Sequence, residues 1–298
     1  MIDYSSLFAL AAVVREGSFE CAARSLHVTP SAVSQRTRLL EERMGCALVT
    51  RSQPCEATET GRRLCQHADR VRLLELELHE DSPAFMSGET AQVNVPVAVN
   101  ADSLATWFVP AAITFVSTAP VLLQLSVDDE GHTAQWLRGG KVLAAVTADE
   151  KPAAGCNSRL LGAMRYVATA TPEFVRRYFP DGVDAASLAC APCLRFNAKD
   201  ELQQRWVERH CGDKVDLRSH TIPSPQAFVA ATLGGLGWAL HPLALVRTHL
   251  ASGAMVELVP ESPLDVPLYW QQARIASRVM DSLGQAVASA AQAVLIQD

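Results

Sequence analysis

Phe19-Glu20-Cys21-Ala22-Ala23-Arg24-Ser25-Leu26-His27-Val28-Thr29-Pro30-Ser31-Ala32-Val33-Ser34-Gln35 holds two helices and the turn between them. Gly17-Ser18 breaks the chain ahead of it and Ser18 is a helix N-cap. Ala22-Ala23 lets another helix pack closely on the short helix Phe19–Leu26. Thr29 caps the next helix, Pro30 suits its first turn, and Gly45 stops it just after Met44. Upstream, Leu7, Leu10, Ala11 and Val14 recur at helical spacing, which predicts a first helix from about Tyr4 to Arg15. On the third helix, Val33, Thr37, Leu40 and Met44 form the stripe expected to pack inward. Ser31, Ser34, Gln35 and Arg38 lie on the other face. A polar face alone is usually only solvated. Here it follows a close-packing helix, a short turn and a capped start, and the combination is a helix-turn-helix.

Leu48–Arg51 and Cys55–Thr58, on either side of Gln53-Pro54, read as a two-stranded wing. Small hydroxyls, an amide and guanidinium groups near a helix N-terminus reach phosphates and base edges of double-stranded DNA. The candidate DNA-contacting residues are Thr29, Ser31, Ser34, Gln35, Arg36, Arg38 and, beside the backbone, Arg51. Thr58-Glu59-Thr60-Gly61 then opens a long helix reaching about Asp81. Leu64, Val71 and Leu78 repeat every seven residues, with Ala68 and Leu74 near the complementary positions, as in a short coiled-coil seam that pairs two chains. Packing onto its own domain is the alternative. Ser82–Thr90 is the expected linker.

The whole chain has 298 residues, 49% apolar and 19% charged, with a net charge of −6. That composition excludes disorder over most of its length and allows two or three domains. Residues 1–65 carry 8 Arg against 7 acidic side chains, whereas the remaining 233 residues carry 18 basic and 25 acidic ones. A chain-wide coat for nucleic acid is therefore excluded, and a local N-terminal DNA face is not. Met1–Ser5 shows no basic and apolar leader, and eight scattered cysteines do not make a disulfide scaffold, so a cytoplasmic protein with reduced thiols is expected. The uncharged run Gln226–Val246 is long enough to span a bilayer. Gly234, Gly235, Gly237 and Pro242 interrupt it, predicting a helix, a glycine turn, a buried strand and a second helix instead.

Past residue 91, short apolar runs alternate with helical stretches, which indicates an α/β domain. Strands are expected at Gln92–Val99, Val121–Val127, Lys141–Val146 and Tyr166–Ala170. Pro267–Trp270 and a helix from about Ala276 to Leu295 return to the first part of this domain. The expected division is a winged helix-turn-helix over 1–58, a dimerisation helix and hinge over 59–91, and a two-lobed domain over 92–298. Its first lobe takes 92–162 and 267–298, and its second 163–266. Such a cleft binds small molecules at strand ends and helix N-termini. Asn100-Ala101-Asp102-Ser103 follows the first strand, Asp128-Asp129-Glu130 the second and Thr147 the third. Acceptors for an ammonium or guanidinium beside donors for a carboxylate match a basic amino acid. Asp102 as a simple helix cap and the acidic run as a solvated loop remain the alternative.

Phe19-x-x-Ala22-Ala23-x-x-Leu26, Thr29-Pro30-Ser31-Ala32-Val33-Ser34-Gln35, Leu40-Glu41, Gly45 and Thr58-x-x-Gly61 resemble the N-terminal signature of LysR-type transcriptional regulators. Val49 and Thr37 depart from it, where Phe and an aliphatic residue are usual. Val97–Trp107, Val127–Glu130, Leu137-Arg138-x-Gly140, Ala144–Thr147 and Leu268-Tyr269-Trp270 resemble the lysine- and arginine-sensing ArgP/LysG subgroup. The resemblance implies a periplasmic-binding-protein-like effector domain, a homodimer or homotetramer, operator DNA and RNA polymerase as partners, and control of basic amino acid export or biosynthesis genes. It also implies an effector site of Asn100, Asp102, Ser103, Asp128, Glu130, Thr147, Phe196, Ser224 and Gln226. Pro223-Ser224-Pro225-Gln226 stands where the subgroup has Ser-Ser-Glu. Some members of the subgroup inhibit chromosome initiation at origin DNA, which is an alternative role.

Cys190-Ala191-Pro192-Cys193 raises a second alternative, a thiol sensor. The pair enters an apparent strand rather than a helix N-terminus, which favours two packed small residues. One Cys-x-x-Cys without a second pair does not make a zinc site, and no metal or cofactor is expected. No Gly-x-Ser-x-Gly, phosphate-loop or His-Glu-x-x-His motif supports an enzyme.

Overall fold

The structure is a computed structural model that describes residues 3–81, 93–128, 133–138 and 141–297. The expected linker Ser82–Thr90 and Glu130 lie outside the described residues, as does the side chain of Asp128. The N-terminal part is α1 (Tyr4–Glu16), α2 (Phe19–Ser25), α3 (Pro30–Met44), β1 (Val49–Thr50), β2 (Glu56–Ala57) and α4 (Glu59–Asp81). Each helix starts on a local side chain. Asp3 accepts from Ser5 and Ser6 N–H at 3.2 and 3.1 Å, Ser18 from Cys21 N–H at 3.0 Å, and Thr29 from Ala32 N–H at 3.2 Å. Gly45 ends α3 with a φ of +68°, a conformation that favours glycine. Leu7, Leu10, Ala22, Ala23, Val33, Leu40, Leu48, Leu64 and Ala68 close one core.

Met44 does not join that core. It is 41% exposed, because it is the last helical residue before the Gly45 turn and the inward stripe ends one turn earlier at Leu40. The α4 seam also divides differently from its heptad pattern. Leu64 and Ala68 are buried in the N-terminal core, Leu73 and Leu76 in the core of the following domain, and Leu74 and Leu78 remain 48% and 57% exposed. Glu77 ties α4 to the end of the chain, accepting from the Ser277 hydroxyl at 2.6 Å and from Val279 N–H at 3.3 Å.

The second part begins with β3 (Val93–Asn100) and a helical run of α5 (Ala101–Ser103), a π-helical turn (Leu104–Phe108) and α6 (Val109–Val116). It continues through β4 (Val121–Asp128), α7 (Thr133–Arg138), β5 (Ala144–Thr147), β6 (Cys156–Ala170), α8 (Pro172–Tyr178) and α9 (Ala185–Cys190). Next come β7 (Cys193–Arg195), α10 (Leu202–Cys211), β8 (Ser219–Thr221), α11 (Pro225–Leu233), β9 (Ala239–Pro242) and α12 (Leu243–Ala251). β10 (Val256–Glu257), β11 (Leu264–Ala273) and α13 (Arg278–Gln292) complete it. The main sheet runs β10-β6-β11-β5-β3-β4, with β9 also paired to β6. β3 is parallel to β4 and β5, whereas β11 is antiparallel to β5 and β6.

The long antiparallel pair β6 and β11 joins the two ends of this sheet. Their register shifts between Leu268 and Tyr269, opposite Gly162. Gly162 has a φ of +120°, and a Cβ there would overlap the Ile296 carbonyl, which accepts from Ala163 N–H at 2.9 Å. The sequence shows only the second half of β6, since Asn157, Arg159 and Leu160 in the first half are exposed and blur the apolar pattern. The uncharged run 226–246 is divided among α11, a glycine turn, β9 and the start of α12. No helix among the described residues is long and apolar enough to cross a membrane.

Candidate functional site

Two surfaces carry chemistry, and they are built in opposite ways. The first is the outer face of α3. Ser31 and Gln35 are exposed, Ser34 and Arg36 half-buried, and the Thr29 and Ser31 hydroxyls lie 3.0 Å apart at the helix start. Arg38 is exposed and pairs with Glu42 at 2.8 Å, an exposed i,i+4 pair that contributes little and opens easily to a phosphate. Arg51 leaves the wing with its guanidinium 5.5 Å from the centre of the Phe19 ring. The wing is held to α3 by Glu41, which accepts from Leu48 N–H at 2.8 Å. Thr58 then donates to the Ala47 carbonyl at 2.9 Å and accepts from Gly61 N–H at 3.1 Å. Gly61 presses against the Leu48 backbone so closely that any Cβ would overlap the Leu48 carbonyl oxygen.

The second surface is a cavity of 490 Å³ in the α/β domain. Ala101, Asp102 and Ala148 line it from the β3 and β5 ends, and Phe196, Asp200, Gln203, Phe228 and His241 line it from the other side. Asp102 accepts a hydrogen bond from the Tyr166 hydroxyl at 2.8 Å. Burial pushes its carboxyl up to about 6, that hydrogen bond opposes the shift, and the negative charge of Asp200 adds to it. Asp200 is 8% exposed, accepts from Phe196 N–H at 2.8 Å and from Leu202 N–H at 3.0 Å, and is likewise pushed up by burial. His241 sits 3.0 Å from the Thr169 hydroxyl through Nδ1, and burial drives it down to about 4, so it is neutral at pH 7. Both amide atoms of Asn100 and the Ser103 hydroxyl are buried without a protein hydrogen-bond partner. Buried groups of this kind are ordinarily satisfied, so orphaned polar atoms next to the lining residues Ala101 and Asp102, with two raised carboxyls on a lining that also holds Lys199, Glu201, Gln203 and Arg205, suit a polar, charged guest.

Of the effector residues expected from sequence, Asp102 and Phe196 line this cavity. Asn100, Ser103 and Thr147 are buried within a residue of its lining at Ala101 and Ala148, and Thr147 accepts from Asp149 N–H at 3.1 Å. The backbone of Asp128 pairs in register with Asn100 at the same sheet end. Ser224 and Gln226 flank Pro225 but are not themselves among the lining residues. Ser224 is the N-cap of α11, accepting from Ala227 N–H at 3.3 Å, and Gln226 is exposed. The α11 turn presents Pro225 and Phe228 to the cavity instead, three positions apart on one helix face. Asp200, Gln203, Phe228 and His241 went unrecognised in the sequence. Asn197-Ala198-Lys199-Asp200-Glu201 has the composition of a solvated loop, and only the burial of Asp200 separates it from one. Cys193 is buried in β7 with its thiol pushed up to about 12 by burial, and Cys190 lies exposed at the end of α9. A thiol held that far above neutrality is a poor nucleophile.

A winged helix-turn-helix carried by one long helix on a domain with a buried polar cavity is the architecture of a single-chain, DNA-binding transcription regulator. Residues 4–62 match the family of bacterial regulatory helix-turn-helix proteins of the lysR family, and residues 94–292 match the LysR substrate binding domain. The chain is 44% identical over 283 residues to the HTH-type transcriptional regulator ArgP of Pseudomonas aeruginosa, covering 95% of this chain and 94% of that one. Its fold is similar to the crystal structure of ArgP from Mycobacterium tuberculosis, with a TM-score of 0.85, 39% identity and all of both chains covered. It is also similar to full-length LysG from Corynebacterium glutamicum with bound effector Arg, with a TM-score of 0.74, 40% identity, and 99% and 100% of the two chains covered. The chain belongs to the LysR family of transcriptional regulators.

Proposed function

We propose that the cavity takes L-lysine or L-arginine and that its occupancy changes how the winged helices hold operator DNA, controlling export or biosynthesis genes for basic amino acids. The observation that carries this reading is Asp102, a carboxylate at a sheet end and helix start, raised by burial and lying in a cavity beside orphaned polar atoms. A cation restores what burial takes from that carboxylate. The bound effector Arg of the Corynebacterium glutamicum LysG supports the same class of ligand. The proposed division places DNA binding in 1–58, subunit pairing in 59–91 and the effector site in 92–298, with the lobes meeting at the Gly162 bulge. Exposed Leu74 and Leu78 on α4 support pairing of two chains, as a homodimer or within a homotetramer. Thr29, Ser31, Ser34, Gln35, Arg36, Arg38 and Arg51 form the proposed DNA face.

Calorimetric titration with L-lysine, L-arginine and L-leucine tests the effector. Saturable binding of a basic amino acid with leucine silent is expected, and silence of both basic amino acids would overturn the reading. An effector acts only through unequal affinity for two states of the regulator. Operator affinity measured with and without the bound amino acid must therefore differ.

A further inference from the structure

The long helix α4 leaves the winged helix and ends against the α/β domain. Its side chains Leu73 and Leu76 are buried there in one core with Val279, Met280 and Leu283 of α13. A helix leaves its first N–H groups without partners in its own backbone. On α13 the N-cap Ser277, 2% exposed, accepts from Met280 N–H at 3.4 Å. Glu77 of α4 extends that cap, accepting from Val279 N–H at 3.3 Å and from the Ser277 hydroxyl at 2.6 Å. Arg278 donates to the Glu77 carbonyl at 3.4 Å. The carboxylate thus meets the positive end of a 15-residue helix. α13 in turn packs on α6 and on the π-helical turn Leu104–Phe108, which follows directly on Asp102 and Ser103. Trp107 and Phe108 of that turn are buried in the same core as Met280 and Leu283. Thr106 donates to the Asp102 carbonyl at 2.6 Å, whereas the Ser103 hydroxyl and Trp107 Nε1 are buried without a protein hydrogen-bond partner. A π-turn differs from the α-helix by a whole hydrogen-bond step, so this run has a discrete alternative rather than a continuous range.

We infer that Glu77 is the positioning residue that couples the cavity to the winged helix. The helical run behind Asp102 resets when the cavity fills, α13 follows it, and the Glu77 cap carries the movement into α4. This rests on the effector reading above and adds to it the joint through which the effector acts within one chain. Leu73 and Leu76 alone can slide, because apolar contact is non-directional. A carboxylate shared between a hydroxyl and an N–H fixes both distance and direction. Removing it leaves the two binding surfaces in place and separates them.

The test measures duplex affinity of the full chain with and without saturating L-lysine or L-arginine, beside calorimetric binding of the same amino acid. The duplex is one that the wild type selects from random sequence. In the wild type the amino acid is expected to change duplex affinity about fivefold or more. In Glu77→Ala that factor is expected to fall to about one, while the variant still binds the amino acid and the duplex separately. Glu77→Gln keeps an oxygen that accepts from the Ser277 hydroxyl, and is expected to restore the coupling. A merely structural role for Glu77 would lower both affinities and leave the factor standing, which would overturn the inference. Should Glu77→Ala fail to fold, hydrogen exchange on the wild type decides. The amino acid is expected to change exchange of the Val279 and Met280 N–H groups and of α4 together. A change confined to the cavity lining, with the first turn of α13 and α4 unaltered, would overturn the joint. Absence of lysine and arginine binding in the wild type is a separate result, which removes the basic amino acid reading and the inference with it. Binding with an intact factor in Glu77→Ala removes the inference alone.

Discussion

The winged helix and the cleft solve recognition with opposite electrostatics. On α3, Ser31, Gln35 and Arg38 are exposed to solvent, and on the reading proposed above a phosphate replaces water there at little expense. In the cleft, Asp200, Asn100 and Ser103 are buried before any ligand arrives, and desolvation raises the carboxyl of the half-buried Asp102. As the proposed DNA face, the first surface gains its affinity by long-range attraction to a polyanion, which salt weakens. As the proposed effector site, the second gains it by relieving local desolvation, which salt barely touches. A regulator joins the two because they respond to different variables, nucleic acid charge on one side and the shape and charge of a small molecule on the other.

That contrast can be broken by separating the two regions. The largest effect is expected from Gly61→Ala, whose new Cβ overlaps the Leu48 carbonyl and drives the wing strand off α4. A loss of about 2–3 kcal/mol is expected for the N-terminal domain. Operator binding should vanish in a gel-shift or anisotropy assay while effector binding persists, and loss of both together would mean that the domains fold as one unit.

The next effect concerns Asp102 alone and has two signs. Its folded-state carboxyl lies at about 6 against an ordinary 3.8, so the stability it contributes is full below the ordinary value and is lost as pH rises through 6. Above pH 7 the ionised side chain therefore destabilises the unliganded protein. Asp102→Asn is expected to raise stability there by about 1–2 kcal/mol while weakening cationic ligands at least tenfold. Below pH 4 its stability advantage should disappear. A thermal melt that shows no gain at pH 7.5 would remove Asp102 from the strained set.

The smallest effect sharpens the other side of the comparison. Arg38→Ala loses one phosphate contact, weakening operator binding by about 1 kcal/mol and lowering the salt slope of binding by about one. Its exposed pair with Glu42 contributes little, so stability should hardly change. An unaltered salt slope would take Arg38 off the DNA face. Effector affinity should be the same in this variant, whose change lies wholly on the N-terminal surface.

The two regions also differ in how far they can be read from the chain. In the winged helix, Ser18, Thr29 and Gly45 act on backbone groups within three or four residues of themselves, and the expected caps stand where the structure has them. Met44 failed because periodicity identifies a face but not the residue at which a helix leaves its neighbours. In α4 the heptad is present, yet Leu64 and Ala68 face the N-terminal core and Leu73 and Leu76 the following one. One apolar pattern was thus consistent with several partners. In the cleft, Asp102 was legible because a polar cluster at a strand end announces a helix start. Ser224 caps α11 and Gln226 is exposed, whereas Pro225 and Phe228 on the same helix start line the cavity, a difference of one or two positions that turns a helical side chain to another face.

By itself, then, the order of residues determined the helices, their caps, the wing and the alternation of an α/β domain, since hydrogen bonds and apolar periods within a few residues settle each of them. Only the tertiary structure decided that Asp200, in a loop indistinguishable from a solvated one, is buried opposite Asp102, and that Glu77 of the long helix closes the N-terminus of α13 two hundred positions away. The burial of a charge and the partner it meets depend on chain packing between remote segments. No local pattern encodes that distance.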